Sequence, residues 1–415
     1  MSARKPALGF IFVTLFLDIL GIGLIIPILP KLIEQLSGGN VSAASHVYGW
    51  LAMLASLMQF LCAPVLGSLS DRFGRRAVIL TSLLGSGLDY LLLAFAPTLP
   101  WFFLGRIIAG MTAANLTAAQ AYIADVSPPE KRAKNFGLVG AAFGLGFVAG
   151  PALGGVLGNV NLRLPFFVAA GMTLLNWLYG MFILPESLPR DQRRAFDWKR
   201  ANPVGSLVAL KAHPIVLGLT MTYFLMMLGH QTFPTTWVLY TSYRYNWSPG
   251  QVGASLAIVG VMAMIVQGGL AGKIIPRLGE RRAIIFGLTN ATVFMIAYGL
   301  ATKGWMIYTL LVIGSLGGIA GPALQAMISR NIPLNEQGAV QGALASLASF
   351  AGIVAPPITT GLFAYFISPQ APIHLPGVAL FLGATLMFGA MLLAARAFGR
   401  VAPVTAPVGE SPAAR

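Results

Sequence analysis

The chain has 415 residues, 56% of them hydrophobic and only 9% charged, against about 25% charged in ordinary soluble domains. That balance excludes a soluble core with a solvated skin. The net charge of +15 would point to nucleic acid in a soluble chain, but here the cations must first be placed relative to a bilayer.

Apolar runs of about 20 residues, the length a bilayer demands, recur from end to end. In chain order the spans are expected near 8–30, 46–69, 77–95, 99–124, 135–158, 163–184, 213–239, 249–274, 283–302, 304–329, 337–363 and 376–398. Lipid offers backbone groups no partners and these runs are too long for barrel strands, so the expected fold is an all-α membrane protein of twelve transmembrane helices. The first run is too long for a signal peptide and has no small-residue cleavage site, so it reads as a retained helix. The single cysteine, Cys62, excludes an internal disulfide framework and reads as a small packing residue.

With the N-terminus in the cytoplasm, all but five of the 27 Lys and Arg collect on that side. Lys31, Arg163, Arg244 and Lys303 lie opposite, and Arg106 lies inside a span. The positive-inside rule then places both termini in the cytoplasm. The excess charge becomes a matter of topology, and no nucleic-acid partner is needed. The longest polar stretch, 185–212, divides the spans six and six. The expected organisation is a first bundle over 1–184, a cytoplasmic linker over 185–212, a second bundle over 213–400, and a Pro/Ala-rich disordered tail over 401–415.

After the second span comes "GSLSDRFGRR" (67–76), and about 205 residues later, after the eighth, comes "GKIIPRLGERRAII" (272–285). Each has a Gly, an Arg five residues on, a second Gly two later, and a basic pair before an apolar run. The bundles are therefore related by a parallel repeat. Asp71 belongs to the first copy alone, because the second has Pro276 there. Gly67 and Gly74 permit a turn or a close approach, and Arg72, Arg75 and Arg76 hold the loop on the cytoplasmic face. Asp71 can face a helix N-terminus of the second half, worth about 0.3–1 kcal/mol. With Asp125, which closes the fourth span near Arg72 or Lys131, these residues read as a cytoplasmic gate. The alternative is a solvated topology loop.

The fifth span is rich in glycine. Gly146, Gly150, Gly154 and the helix-bending Pro151 suit either a rocking contact between the halves or ordinary tight packing. Within the spans Asp18, Asp89 and Arg106 stand out, since a charge at the bilayer centre costs roughly 2.5–3.5 kcal/mol. They read as proton or cation sites facing an inner cavity, or as a packing ion pair such as Asp18 with Arg106. A carboxyl group withdrawn from water favours its protonated form, and a passing cation then competes with the proton. In the second half His230 is either a packing residue or a proton carrier. Gln231, Thr235, Asn290, Gln325, Phe233 and Tyr90 are candidates for lining a substrate site.

"GSLSDRFGRR", "LGRIIAG" (104–110) and "GLVGAAFGLGFVAGPALGG" (137–155) resemble the signatures of the major facilitator superfamily, the last typical of its drug/proton antiporters. "LDILGIGLIIPILP", "LDYLLLAFAP", "TTWVLY" and "GPALQAMISR" look like the bacterial tetracycline/proton antiporters, with the match spanning about 90% of the chain. In that family a metal–tetracycline chelate leaves the cytoplasm as protons enter. The positions resembling its functional residues are Asp18, Asp71, Asp89, Arg106 and Gln231. Two positions depart from it: Ala263 stands where a histidine is usual, and Asn290 where a carboxylate is usual.

The resemblance implies proton-coupled efflux of a small amphipathic compound, a tetracycline or related drug, by alternating access in the bacterial inner membrane. A shifted substrate range follows from the departures. The alternative is an exporter of a metabolite or sugar without proton coupling. No Walker A stretch, paired histidines or nucleophile motif is present, so an enzyme is not expected. No cofactor or protein metal site is expected either, and any divalent metal would arrive with the substrate. The partners are the small-molecule cargo and the bilayer, and the chain is expected to be monomeric.

Overall fold

In lipid a polar backbone must bond to itself, and a run of about 20 apolar residues does so by becoming a helix. The computed structural model describes residues 8–113, 115–193, 214–332 and 337–399. The expected linker is therefore described only as far as Arg193. The rest of it, and the expected tail over 401–415, lie outside the described residues.

The first half comprises α1 (Leu8–Ile25), α2 (Val41–Phe73), α3 (Arg75–Phe95), α4 (Leu99–Val126), α5 (Pro129–Val160) and α6 (Leu164–Ile183). The second comprises α7 (Pro214–Tyr245), α8 (Pro249–Leu278), α9 (Glu280–Leu300), α10 (Gly304–Arg330), α11 (Gln337–Phe366) and α12 (Val378–Phe398). Among the described residues, eleven of these are long and apolar enough to cross a membrane. The remaining one, α7, has 32 residues and is interrupted by the polar run from His230 to Thr236.

The helix ends differ from the sequence expectation for local reasons. α1 stops at Ile25, and the remainder of the first apolar run turns into a short connector, Leu29–Leu36, opened by Pro30. α2 starts five residues before the expected position because the Asn40 side chain caps it, accepting from the Ala43 N–H at 3.0 Å. α8 opens on a capping box between Ser248 and Gln251.

Three helices are irregular within. α4 breaks between Thr112 and Asn115, α10 contains a 3-10 turn over Ser315–Ile319, and α8 contains a π-helical turn over Met264–Leu270. A shift of 205 residues along the chain carries the α4 break onto the α10 turn. The repeat thus extends to where helices are interrupted.

The first half is centred on Phe102 and Phe166 at one end and on Ile11, Leu15 and Tyr122 at the other. The second half has its own core around Leu288, Leu324 and Leu344. The halves meet where α2 packs on α11 and α5 on α8. Lipid provides no hydrophobic drive between helices, so such seams depend on small residues and hydrogen bonds. On the face away from the arginine-rich loops the seam is closed. Ser42 Oγ donates to the Ala364 carbonyl at 3.0 Å, and the Gly250 N–H donates to Asn159 Oδ1 at 3.1 Å. The aromatic cluster of Trp237, Tyr240 and Trp247 also packs against Ile26, Val41 and Tyr48 of the first half.

Toward the arginine-rich face the same helices part. A β-carbon placed on Gly260 would lie 2.8 Å from Val148 across the seam, whereas one on Gly137, Gly140, Gly268 or Gly272 would meet no atom of the described residues within 4 Å. The molecule is therefore closed at its far face and open at its basic face.

Candidate functional site

A cavity of about 500 Å³ lies within the first half, and its wall includes Asp18 of α1, Asp89 and Tyr90 of α3, and Arg106 of α4. Asp89 is only 1% exposed, and its Oδ2 lies 3.9 Å from Arg106 Nη2. Gly105 makes this placement possible, since a β-carbon there would lie 2.7 Å from Asp89 Oδ1. Arg106 is thus ion-paired with Asp89.

The pair is incompletely satisfied. Neither Asp89 Oδ1 nor Arg106 Nε has a hydrogen-bond partner among the described residues. Buried polar atoms are nearly always bonded, so an open lone pair and an open N–H on a cavity wall mark a place where a proton or a polar ligand group can be received. With Asp18 included, two carboxyl residues and one arginine share the cavity wall. Tyr90 is 9% exposed and fits against Gly21, whose β-carbon would lie 3.2 Å from the phenol oxygen.

The wall includes residues the sequence reading did not single out: Tyr48, Gln59, Ser86, Thr112 and Phe143. Ser86 Oγ donates to Thr112 Oγ1 at 3.0 Å, and Thr112 bonds the carbonyls of Ile108 and Ala109 at the α4 break. The available signal was position, because Thr112 lies two turns beyond Arg106 on the same helix.

The second-half candidates do not join this cavity wall. His230 is exposed on α7. Gln231 lies near the α2–α11 seam, its Nε2 being 3.8 Å from where a Gly352 β-carbon would sit. Thr235 is buried and shares a 3.0 Å hydrogen bond with Thr359. Phe233 stacks on Trp237 at 4.3 Å and tilts against Tyr298. Asn290 is half-buried and its Oδ1 has no partner among the described residues. Gln325 is exposed and donates to Gln341 Oε1 at 3.2 Å.

At the basic face Arg75 is the centre of a network within the first half. It pairs with Asp71 one turn earlier, donates to Asp125 Oδ2 at 3.2 Å and donates to Ser70 Oγ at 3.1 Å. Ser187 Oγ donates to the same Asp125 oxygen at 3.0 Å, and Glu186 Oε1 accepts from the Arg75 N–H at 2.9 Å. Gly74 is required here. Its φ is +104°, and a β-carbon would lie 2.6 Å from Glu186 Cδ. Arg76 donates to the Met181 carbonyl at 2.7 Å, and Arg72 lies over the Phe73 ring. Gly67 has open space beside it.

Asp71 was expected to face the second half, and Asp125 to lie near Arg72 or Lys131. The structure gives both to Arg75, in keeping with a basic face whose halves are apart. The start of the expected linker, by contributing Glu186 and Ser187, belongs to this network.

The glycines of α5 divide their work. β-carbons on Gly146 and Gly150 would lie 2.9 Å from Ile19 and 2.7 Å from Gly23, and Gly154 abuts Leu24, so these three pack on α1 of the same half. Contact with the other half runs along another side of the helix, through Gly144 against Met264, Val148 against Gly260, and Pro151 and Gly155 against Gly253 and Pro249 of α8. The rocking contact expected of the whole stripe is thus confined to one side of the helix.

The 205-residue shift also uncovers a counterpart missed in the sequence. It carries Arg75 onto Glu280 and Asp125 onto Arg330, and Arg330 Nη2 donates to Glu280 Oε2 at 2.7 Å. The two halves make the same brace with opposite charges.

Comparison with known proteins gives consistent results. The pattern of the Major Facilitator Superfamily matches residues 11–356. The chain is 44% identical over 358 residues to the tetracycline resistance protein, class C, of Escherichia coli, covering 86% of this chain and 90% of that one. It is 38% identical to the class D protein of Salmonella ordonez, covering 97% and 99%. It is 30% identical to multidrug resistance protein 2 of Bacillus subtilis (strain 168), covering 88% and 90%. Among solved structures, a bacterial homolog of the human lysosomal transporter Spinster, inward-facing and occupied, superposes with a TM-score of 0.76 at 16% identity, covering 94% and 96%. At that identity the likeness shows the fold.

Proposed function

This chain belongs to the Major Facilitator Superfamily, and we propose that it exports a small amphipathic drug of the tetracycline type in exchange for protons, by alternating access, across the bacterial inner membrane. The basic face with both termini is cytoplasmic on this reading, as the distribution of Lys and Arg requires. The observation that carries the proposal is Asp89, almost fully buried on the cavity wall with one oxygen unbonded among the described residues. Such a group can hold a proton in one state of the cycle and face the guanidinium or the cargo in the other. The relatives named for tetracycline resistance supply the substrate class.

The chain needs no cofactor for this work. The proton gradient is the energy source, any divalent metal arrives with the drug, and one chain encloses the whole path. Asp18 and Asp89 handle the proton, while Arg106 holds Asp89 in place. Asp71, Arg75 and Asp125 close the cytoplasmic side when the halves come together, with Gly74 shaping the turn.

The test is a drug-sensitive bacterium expressing the chain. Inhibitory concentrations are compared across tetracyclines, quinolones, phenicols and dyes, with and without a protonophore. The proposal expects tetracycline tolerance to rise at least severalfold and to vanish with the protonophore. Tolerance unaffected by the protonophore would contradict proton coupling, and an unchanged tetracycline concentration would contradict the substrate class.

A further inference from the structure

The basic-face segments of α4 and α10 carry a matched pair of side chains that the mechanism above does not use. The 205-residue shift aligns "AAQAYIAD" (118–125) with "ALQAMISR" (323–330), so Gln120 and Gln325 are counterparts. In α4 the residues Ala118, Ala119, Tyr122 and Ile123 turn into the core of the first half. The opposite stripe of the segment beyond the break carries exposed Thr117 and, one turn on, half-buried Gln120. In α10 the residues Ala323, Leu324, Met327 and Ile328 are buried and Gln325 is exposed.

The two amides keep free hydrogen-bonding capacity. Gln120 makes no side-chain hydrogen bond among the described residues. Gln325 uses its Nε2 on Gln341, which is itself held by a 3.0 Å bond to Ser329 Oγ, and this leaves Gln325 Oε1 without a donor among the described residues. The seam is open at this depth, as the empty space beside Gly137, Gly140 and Gly268 shows. Both amides lie on the basic-face segments of corresponding helices, beyond the α4 break and the α10 turn.

We infer that Gln120 and Gln325 form an entry subsite that reads a hydrogen-bonding edge of the cargo, one presenting donor and acceptor side by side as a carboxamide or keto-enol does. An amide matches such an edge without charge. A compound lacking the edge leaves the amides desolvated and unpaired, which is unfavourable. Selection by hydrogen bonding thus precedes the charged chamber of Asp18, Asp89 and Arg106. The inference rests on the export reading proposed above.

The experiment uses everted membrane vesicles containing the full chain, with protein amount measured in each. Tetracycline uptake is compared with that of an analogue whose carboxamide is replaced by a nitrile. Gln120→Leu and Gln325→Leu should each raise KM for tetracycline about 3- to 10-fold, the loss of one hydrogen bond, with Vmax kept. Gln→Asn at either site should fall between parent and Leu. The nitrile analogue should show a raised KM with the parent and little further change in the variants. Unchanged KM in the variants, or equal KM shifts for both compounds, would overturn the inference. Should a Leu variant be missing from the membrane, the Asn variant decides by the same criterion. No uptake by the parent would instead refute the export reading itself.

Discussion

Asp89 and Arg106 carry charge where lipid makes it costly. Each would cost roughly 2.5–3.5 kcal/mol alone at the bilayer centre, and together at 3.9 Å they offset part of that cost while leaving Asp89 Oδ1 open. Removing one member of a buried pair is expensive, about 3–5 kcal/mol, whereas replacing both by neutral groups is often tolerated. Arg106→Ala should therefore lower the melting temperature in detergent sharply, and Asp89→Asn combined with Arg106→Gln should restore it without restoring uphill export. Recovery of transport by the double variant would show that the pair serves packing alone. These charges were legible because Asp or Arg inside an apolar run has few explanations. Ser86 and Thr112 were not, because hydroxyls in a membrane helix routinely bond their own backbone, and nothing in the sequence says that Thr112 also bonds across to α3.

At the scale of elements the internal repeat carries most of the information. Gly74 and Gly279 share a positive φ, +104° and +77°, at corresponding turns, and the matching "G-x4-R-x-G" spacing made that readable. The reversed brace, Arg75 with Asp125 and Glu280 with Arg330, escaped notice because opposite residue types look unrelated until the shift is applied beyond the loop. It yields a direct test. Glu280→Arg and Arg330→Asp should each weaken the second-half brace, by about 0.2–1 kcal/mol for so exposed a pair. Together they reproduce the first-half arrangement, so the double variant should match the parent in melting temperature and turnover. A double variant as impaired as the worse single would remove the equivalence. Helix ends were less legible than helix identity, since α2 starts on the Asn40 cap and α5 on a proline at its first turn, neither of which an apolar window registers.

The whole molecule is two bundles, sealed at one face by Ser42, Asn159 and an aromatic cluster and parted at the other. The all-helical, many-spanning fold was readable from hydropathy, and eleven of the twelve expected spans are long and apolar enough to cross a membrane among the described residues. Which face is open was not, because one sequence must serve both states of an alternating cycle and their energies differ little. Asp71 shows the consequence. Its side chain is 42% exposed and paired within its own half, not with the second half as the sequence had suggested.

A membrane potential near 100 mV supplies about 2.3 kcal/mol per proton, enough to drive a moderate drug gradient if the proton and the cargo share the buried carboxylates. The most direct test uses proteoliposomes with a pH-sensitive dye inside, tetracycline added outside and no imposed gradient. The account predicts that entry of drug shifts the lumenal pH in the direction of proton exit, and that Asp18→Asn and Asp89→Asn each abolish the shift while the protein remains folded. Drug movement with no change in lumenal pH, or an undiminished shift in both variants, would contradict it.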